Sequence, residues 1–363
     1  MFLFFEKKFH FPFLLFLLGC ASSNINLDIG EITATTCDKR VNIINHLCQE
    51  EYDLLTKTEK IINDQSLDFL FSKDNLKQIQ DENGFPFSVA FFTMSLLRLP
   101  STAAYIRKIS SLNILSEKKR LTHKVKNIHL IVIPGLFYDI NKEIGGDGKQ
   151  LRTMASNLGF NEGIIEVKPT GSIQQNGEII CNWIKQTNIN KIILLSISKG
   201  SADFKEAVNQ CKEVIFKDKK IISWINLGGI NKGSYLVNQA DSSFIKRIYV
   251  KYLGMKYGFS YDAFLSVKAG IKQSALNEEF EISKGFRVIN IIPAPIERYV
   301  TERAYENFRA LSSLGPNDGL SLLGDSYMSG AINIPIWGID HYFRVNKQGW
   351  EFLQKLILYE SQN

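Results

Sequence analysis

Apolar positions along the chain follow two different patterns. Between about 41 and 120 they recur at helical spacing: Val41, Ile44, Leu47 and Cys48, then Leu54, Leu55, Ile61 and Ile62. A three-to-four-residue period is that of helices with one buried face. Asn83-Gly84-Phe85-Pro86 punctuates the region, and the apolar run Phe87–Leu99 behind it ends at Pro100. That run reads as buried, with membrane contact as the alternative. A further helix is predicted to about Leu115, with Ser116–Arg120 as an exposed connection.

After Lys126 short apolar runs alternate with helical patterns. Strands are predicted over Ile128–Ile133, Ile164–Val167, Ile192–Ile197, Ile221–Leu227, Val288–Ile292 and Ile332–Trp337. Helices are predicted over Leu151–Leu158, through Ile179, Ile180, Trp183 and Ile184, along Phe204, Ala207, Val208 and Cys211, near 297–310 and over Trp350–Tyr359. Such alternation needs crossover connections, which gives a mainly parallel sheet covered by helices on both faces, the α/β class. The alternation pauses from about 230 to 285, a mostly helical and aromatic stretch with Tyr249, Tyr252, Tyr257, Phe259 and Tyr261. Placed between sheet strands, it is a candidate cap. Its aromatics either line a pocket or form the cap's own core.

Composition narrows the classes. With 363 residues, 45% apolar and 22% charged, the chain is not wholly disordered, collagenous or a coiled coil. The net charge of +6 favours an anionic surface such as a membrane and gives little support to nucleic acid as a partner. Five Cys, none in a CxxC pair, make neither a zinc cluster nor a disulfide scaffold. Cys37 and Cys48 lie close enough in sequence to pair in an oxidising compartment, whereas Cys181 and Cys211 sit on apolar helical faces, where unpaired burial is equally consistent. No G-x-G-x-x-G follows a strand, and Gly145-Gly146-Asp147-Gly148 lacks that spacing. No cofactor or metal is expected.

The first residues read as an address. Lys7 and Lys8 precede the apolar run Phe9–Leu18, broken by His10 and Pro12 and followed by Gly19 and Cys20. This is the layout of a secretory signal, too short for a permanent span. Leu17-Leu18-Gly19-Cys20 resembles the lipobox of bacterial lipoproteins. The resemblance implies a signal peptide over 1–19, lipidation of Cys20, a polar tether over 20–40 and a lipid-anchored protein of the cell envelope. With no Asp after Cys20, it also implies the outer membrane where an organism has two.

The chemistry converges on one turn. Ser196-Ile197-Ser198-Lys199-Gly200 stands where the strand 192–197 meets the next helix, a small-x-nucleophile-x-small arrangement. A strained turn lifts the Ser198 hydroxyl above the sheet, and the helix that follows favours developing negative charge. Two further features accompany it: Ile133-Pro134-Gly135-Leu136-Phe137 after the first strand, and Gly315-Pro316-Asn317-Asp318-Gly319 followed by Gly338-Ile339-Asp340-His341. In this order the three resemble the α/β-hydrolases, in their lipase and esterase branch, over residues 125–363.

That resemblance implies Ser198 as nucleophile, Asp318 and His341 as its partners, and the backbone N–H groups of Leu136 and Lys199 as oxyanion donors. His341 is the only His after Asp318. Pro-Asn-Asp-Gly is also the composition of an Asx turn, and Asp325 and Asp340 are the rivals of Asp318, the latter expected to point away from its neighbour. The Lys199 side chain is expected to be exposed. Gly228-Gly229 and Gly233-Ser234 resemble the loop that borders the acyl pocket of some lipases. The implied activity is hydrolysis of carboxylic esters, lipid or other acyl esters. Acyl transfer or peptide cleavage with the same triad, or a non-catalytic binding lipoprotein, are the alternatives.

Overall fold

The computed structural model describes residues 49–62, 67–139, 145–271, 274–276, 280–345 and 347–362. The signal peptide, the tether, Cys20 and the Cys37–Cys48 pair lie outside the described residues.

Strands β1 (His129–Ile133), β2 (Asn161–Ile164), β3 (Ile192–Ile197), β4 (Ile221–Leu227), β5 (Val288–Ala294) and β6 (Ile332–Trp337) form one sheet in the order β2-β1-β3-β4-β5-β6. Every adjacent pair is parallel. A parallel sheet buries both faces, so its strands are apolar on both sides of the pleat. Strand β3 shows this directly: Ile193 and Leu195 pack into the core on one face, Ile192 and Leu194 into the core on the other.

The first core is closed by helices Pro100–Ser110, Ile114–Val125, Lys149–Leu158 and Lys347–Glu360, through residues such as Ile109, Val125, Leu158 and Leu356. The second is closed by helices Ile173–Gln186 and Lys199–Lys217, through Ile180, Ile184, Phe204 and Ala207. These two helices approach closely at Gly177, where a Cβ would lie 2.7 Å from Glu206 Cγ. The same approach brings Cys181 and Cys211 together: their sulfurs are bonded, with Cα atoms 6.1 Å apart. Unpaired burial, which the sequence left open for these two thiols, is therefore not what the structure holds. Apolar helical faces foretell burial but not which two faces meet.

The N-terminal helices belong to the same body. Helices Gln49–Ile62, Lys73–Asn83 and Phe85–Arg98 share a core with β5 and β6, in which Leu76, Phe91, Phe92 and Leu96 meet Ile292, Ala294 and Trp337. The apolar run beyond Pro86 is thus buried, Val89 through Phe92 completely. Among the described residues no single helix is long and apolar enough to cross a membrane. Ser116–Arg120 is not a connection, as its charge suggested, but lies inside helix Ile114–Val125. Asn113 caps that helix by accepting from the Ser116 N–H, and the charges form its solvated face while Leu121 and Val125 are buried.

Strand β2 also differs from expectation. It spans Asn161–Ile164 rather than Ile164–Val167, because an edge strand needs little apolar surface. Ile165 and Val167 are buried in the second core after leaving the sheet. Between β4 and β5 stand the inserted helices Tyr235–Ala240, Phe244–Tyr257 and Tyr261–Leu265. No helix follows among the described residues of 266–287, so the predicted helical stretch ends earlier than 285.

Candidate active site

Strand β3 ends in a forced turn. Ser198 has φ 52° and ψ −118°, a left-handed backbone that an L-residue adopts only under constraint. Its N–H donates to the Leu227 carbonyl at 3.1 Å, holding the turn to the end of β4. Two residues on, a Cβ at Gly200 would lie 2.5 Å from the Ile133 carbonyl oxygen and 2.6 Å from that of Pro134. Only glycine fits there. Two residues back, the buried Ser196 hydroxyl accepts from the Trp224 indole at 2.7 Å. Helix Lys199–Lys217 starts directly behind Ser198, so the Lys199 N–H has no acceptor within the helix.

His341 and Asp318 meet this serine in one row. His341 Nε2 lies 2.9 Å from Ser198 Oγ, and His341 Nδ1 lies 2.9 Å from Asp318 Oδ2. An ionised carboxylate only accepts, which leaves the imidazole proton on Nδ1 and frees Nε2 to accept from the hydroxyl. The other carboxylate oxygen of Asp318 accepts from the N–H groups of Leu320 at 2.8 Å and Ser321 at 2.7 Å. The Asx turn and the histidine partner, alternatives in the sequence, are both present in the same side chain. Asp318 is also tied through its backbone, whose carbonyl accepts from the His341 N–H at 2.9 Å.

The rival acids face elsewhere. Asp340 accepts from the N–H of Thr301 at 2.6 Å and of Tyr342 at 3.0 Å, pointing away from His341 as expected. Asp325 is buried, and its Oδ2 has no hydrogen-bond partner among the described residues. Burial pushes its carboxyl from the usual 3.8 to about 6, with Lys232 and Lys73 offsetting only part of the effect. The folded chain therefore holds this proton more tightly than the unfolded one. The resulting cost is absent below about pH 4, grows between about 4 and 6, and is complete above 6. Asp325→Asn is expected to raise unfolding stability by up to about 3 kcal/mol at neutral pH and by little at pH 4, with turnover retained. Urea melts of both proteins across this pH range check it; parallel curves would show that Asp325 carries no such cost.

The Lys199 side chain is not exposed, which corrects the sequence expectation. It is 3% exposed, and its Nζ lies 2.5 Å from Asp203 Oδ1, one helical turn on. Asp203 Oδ2 in turn accepts from Asn176 Nδ2 at 2.9 Å. Burial raises the Asp203 carboxyl, opposed by Lys199 and Asn176. Asn176 accepts from the Lys168 N–H at 3.0 Å and donates to the Lys168 carbonyl at 3.1 Å. The adjacent Pro169 carbonyl accepts from the N–H of Phe137 at 3.1 Å. A polar chain, buried at Lys199, Asp203 and Asn176 and exposed at Lys168, thus runs from the residue after Ser198 to the residue after Leu136.

A second polar row crosses the sheet. Ser196, Asn226, Asn290 and Asn333 occupy matching registers on β3, β4, β5 and β6. Asn226 Nδ2 donates to Asn290 Oδ1 at 3.0 Å, and Asn290 Nδ2 donates to Asn333 Oδ1 at 2.7 Å. Ser201, on the first turn behind Ser198, donates to Asn226 Oδ1, while Asn290 also donates to the Ser326 carbonyl at 2.8 Å. The row links the Ser198 turn to the segment behind Asp318. Sequence reading missed it, although its signal is visible: one Asn inside each of three consecutive apolar strand runs.

Two apolar clefts meet at Ser198. One lies between Gly135, Gly146, His341, Tyr342, Phe343 and Trp350. The other lies between Lys199, Ile230, Val237, Phe259, Phe264 and Leu320. Leu136 and Phe137 line both, so the loop after β1 divides them. Ser234, of the predicted Gly-Ser loop, borders the second cleft. Of the insertion's Tyr257, Phe259 and Tyr261, Phe259 alone lines a cleft, while the Tyr261 hydroxyl donates to Asp241 and holds the insertion together. Gly146 and Gly148, set against a dinucleotide pattern in the sequence, instead shape the first cleft: the Gly146 carbonyl accepts from the Gly135 N–H at 2.9 Å. Among the described residues no three His, Cys, Asp or Glu side chains converge as metal ligands.

No protein-family model matches the chain, and no curated protein matches it. Among solved structures it is similar to a metagenomic carboxyl esterase, with a TM-score of 0.50 and 16% identity over 65% of this chain and 76% of that one. It is also similar to a Bacillus licheniformis lipase in its mature form (TM-score 0.44, 20% identity, 59% of this chain and 84% of that one). A Legionella pneumophila phospholipase follows (TM-score 0.39, 14% identity, 55% of this chain and 45% of that one). The strand order, the parallel pairing and the first of these likenesses define the fold as that of the α/β-hydrolases.

Proposed function

We propose that the chain is a serine hydrolase of carboxylic esters, with Ser198 as nucleophile, His341 as general base and acid, and Asp318 as the group that orients the imidazole. The observation that carries this reading is the row Ser198–His341–Asp318, with both contacts at 2.9 Å, where two apolar clefts meet. In the proposed reaction Ser198 Oγ attacks the ester carbonyl as His341 Nε2 takes its proton. His341 then gives that proton to the departing alcohol, and a water repeats the attack on the acyl-enzyme. Asp318 stabilises the imidazolium formed in each half. The N–H groups of Lys199 and Leu136 are assigned to the oxyanion, each worth about 3 kcal/mol in the transition state.

The acyl chain is assigned to the cleft under the insertion, whose lining is apolar apart from Thr170, Lys199, Ser234 and Ser198 itself. Each methylene buried there contributes about 0.8 kcal/mol, so acyl length is read as a several-fold change in kcat/KM per methylene. A panel of p-nitrophenyl esters from acetyl to octanoyl tests the reading. Phe259→Ala is expected to change the preference among them at retained melting temperature, and Tyr257→Ala to leave it unchanged. Equal loss on all esters with a lower melting temperature would mean that Phe259 only supports the insertion. No turnover of any ester would remove the hydrolase reading.

Attachment to a membrane through a lipidated Cys20 belongs to the same proposal and rests on Leu17-Leu18-Gly19-Cys20. The mass of the native N-terminal peptide tests it. A diacylated Cys20 is expected, and an intact Met1 would contradict it.

A further inference from the structure

Nine large apolar side chains stand exposed among the described residues, and five of them lie on one helix, Phe244–Tyr257. Phe244 is 71% exposed, Ile245 68%, Ile248 53%, Tyr252 52% and Met255 80%. At about 100° per residue these five fall within roughly 100° of the helix circumference. Val250, Leu253 and Gly254 occupy the opposite side and are buried. Val250 and Leu253 share a core with Phe137 and Phe264, which line the cleft under the insertion. The helix is therefore amphipathic in reverse: one apolar side is packed on the protein and a second faces out.

The charges on this helix have one sign. Lys246, Arg247, Lys251 and Lys256 are all basic, and the helix contains no Asp or Glu. Lys246 turns back to the preceding segment, its Nζ donating to the Gln239 carbonyl. Arg247, Lys251 and Lys256 are exposed, and by the same angular count they border the apolar stripe, two on one side and one on the other. An exposed apolar stripe between cations is the form of a helix that lies in a lipid interface, side chains among the acyl chains and cations at the headgroups. A single-sign border also selects against neutral surfaces, since each cation adds attraction only where the surface is anionic.

We infer that helix Phe244–Tyr257 seats the protein on an anionic lipid surface, and that it does so independently of any acyl anchor at the N-terminus. The inference does not rest on the hydrolase reading. Seated this way, the insertion carries the lipid against the outer wall of the cleft that holds Phe264.

The test uses the chain without residues 1–19 and with Cys20→Ser, so that neither the apolar run Phe9–Leu18 nor an acyl group is attached, and vesicles of phosphatidylcholine with or without phosphatidylglycerol. Co-sedimentation with the phosphatidylglycerol vesicles is expected, weakening in high salt. Phe244→Ser/Ile248→Ser/Met255→Ser should lower partitioning at least about ten-fold. Arg247→Glu/Lys251→Glu should lower it by about ten-fold or more on the phosphatidylglycerol vesicles and remove the preference for them. Melting temperature and hydrolysis of a soluble butyryl ester, read on the same samples, should be equal in all three chains. Absent hydrolysis in all of them would count against the hydrolase reading alone. Equal partitioning of the parent and the triple variant would overturn the inference. So would self-association of the parent, lost in the triple variant, with no vesicle binding, because a second copy of the chain would then occupy the stripe.

Discussion

Asp318→Asn is expected to lower kcat about 10⁴-fold while the protein remains folded. The amide keeps an oxygen for the N–H groups of Leu320 and Ser321, which Asp318 now satisfies at 2.8 and 2.7 Å, so the turn stands. What the amide then offers His341 Nδ1 is an N–H. The imidazole must accept there, and its proton moves to Nε2, where it can no longer receive the one from Ser198. Asp325→Asn and Asp340→Asn should keep near-wild-type turnover, because neither side chain faces His341. Steady-state kinetics on one soluble ester, with circular dichroism as the fold control, checks all three. Near-normal turnover in Asp318→Asn, or a larger loss at Asp325, would reassign the acid.

Lys199→Met is expected to produce the largest loss of stability, about 3–5 kcal/mol, because it strips the partner from a fully buried carboxylate. Asp203 is 1% exposed and keeps only the Asn176 amide once Lys199 is gone. The remaining carboxyl is pushed further upward than burial already pushes it, so it gains a proton on folding. The loss should accordingly grow as pH rises and shrink in acid. Lys199→Met/Asp203→Leu removes both charges and should recover most of the stability. Activity separates packing from positioning. The polar chain through Asn176 and Lys168 ends at the loop of Leu136 and Phe137, so kcat should fall in Lys199→Met by more than KM changes. Denaturant melts and kinetics on both variants test this. A single variant as stable as the parent would mean that the buried pair contributes nothing.

Where apolar runs carried the information, the sequence was readable. Strands β3, β4 and β6 begin and end where their runs do, since an interior parallel strand is buried on both faces and turns polar only where it leaves the sheet. The turn at Ser198 was readable for a steric reason, because Gly200 has no space for a side chain against Ile133 and Pro134. Strand β2 was not, since an edge strand is defined by backbone pairing and the apolar residues beside it are buried elsewhere. The exposure of Lys199 was misjudged because its partner Asp203 lies one turn along the same helix, and tertiary packing, including helix Ile173–Gln186 with Asn176 on Asp203, takes the pair out of water. The bond between Cys181 and Cys211 depends on that same packing. Both are facts of which helix faces which, and local periodicity does not contain them.

Reaction with a fluorophosphonate followed by tryptic mapping asks whether Ser198 is the activated hydroxyl. Cleavage after Lys191 and Lys199 isolates the peptide Ile192–Lys199, which holds both Ser196 and Ser198. Fragmentation should place the phosphonyl group on Ser198, with labelling abolished in Ser198→Ala and strongly slowed in Asp318→Asn. Modification of a different serine, or none in a protein that melts cooperatively, would contradict the assignment of Ser198 as nucleophile.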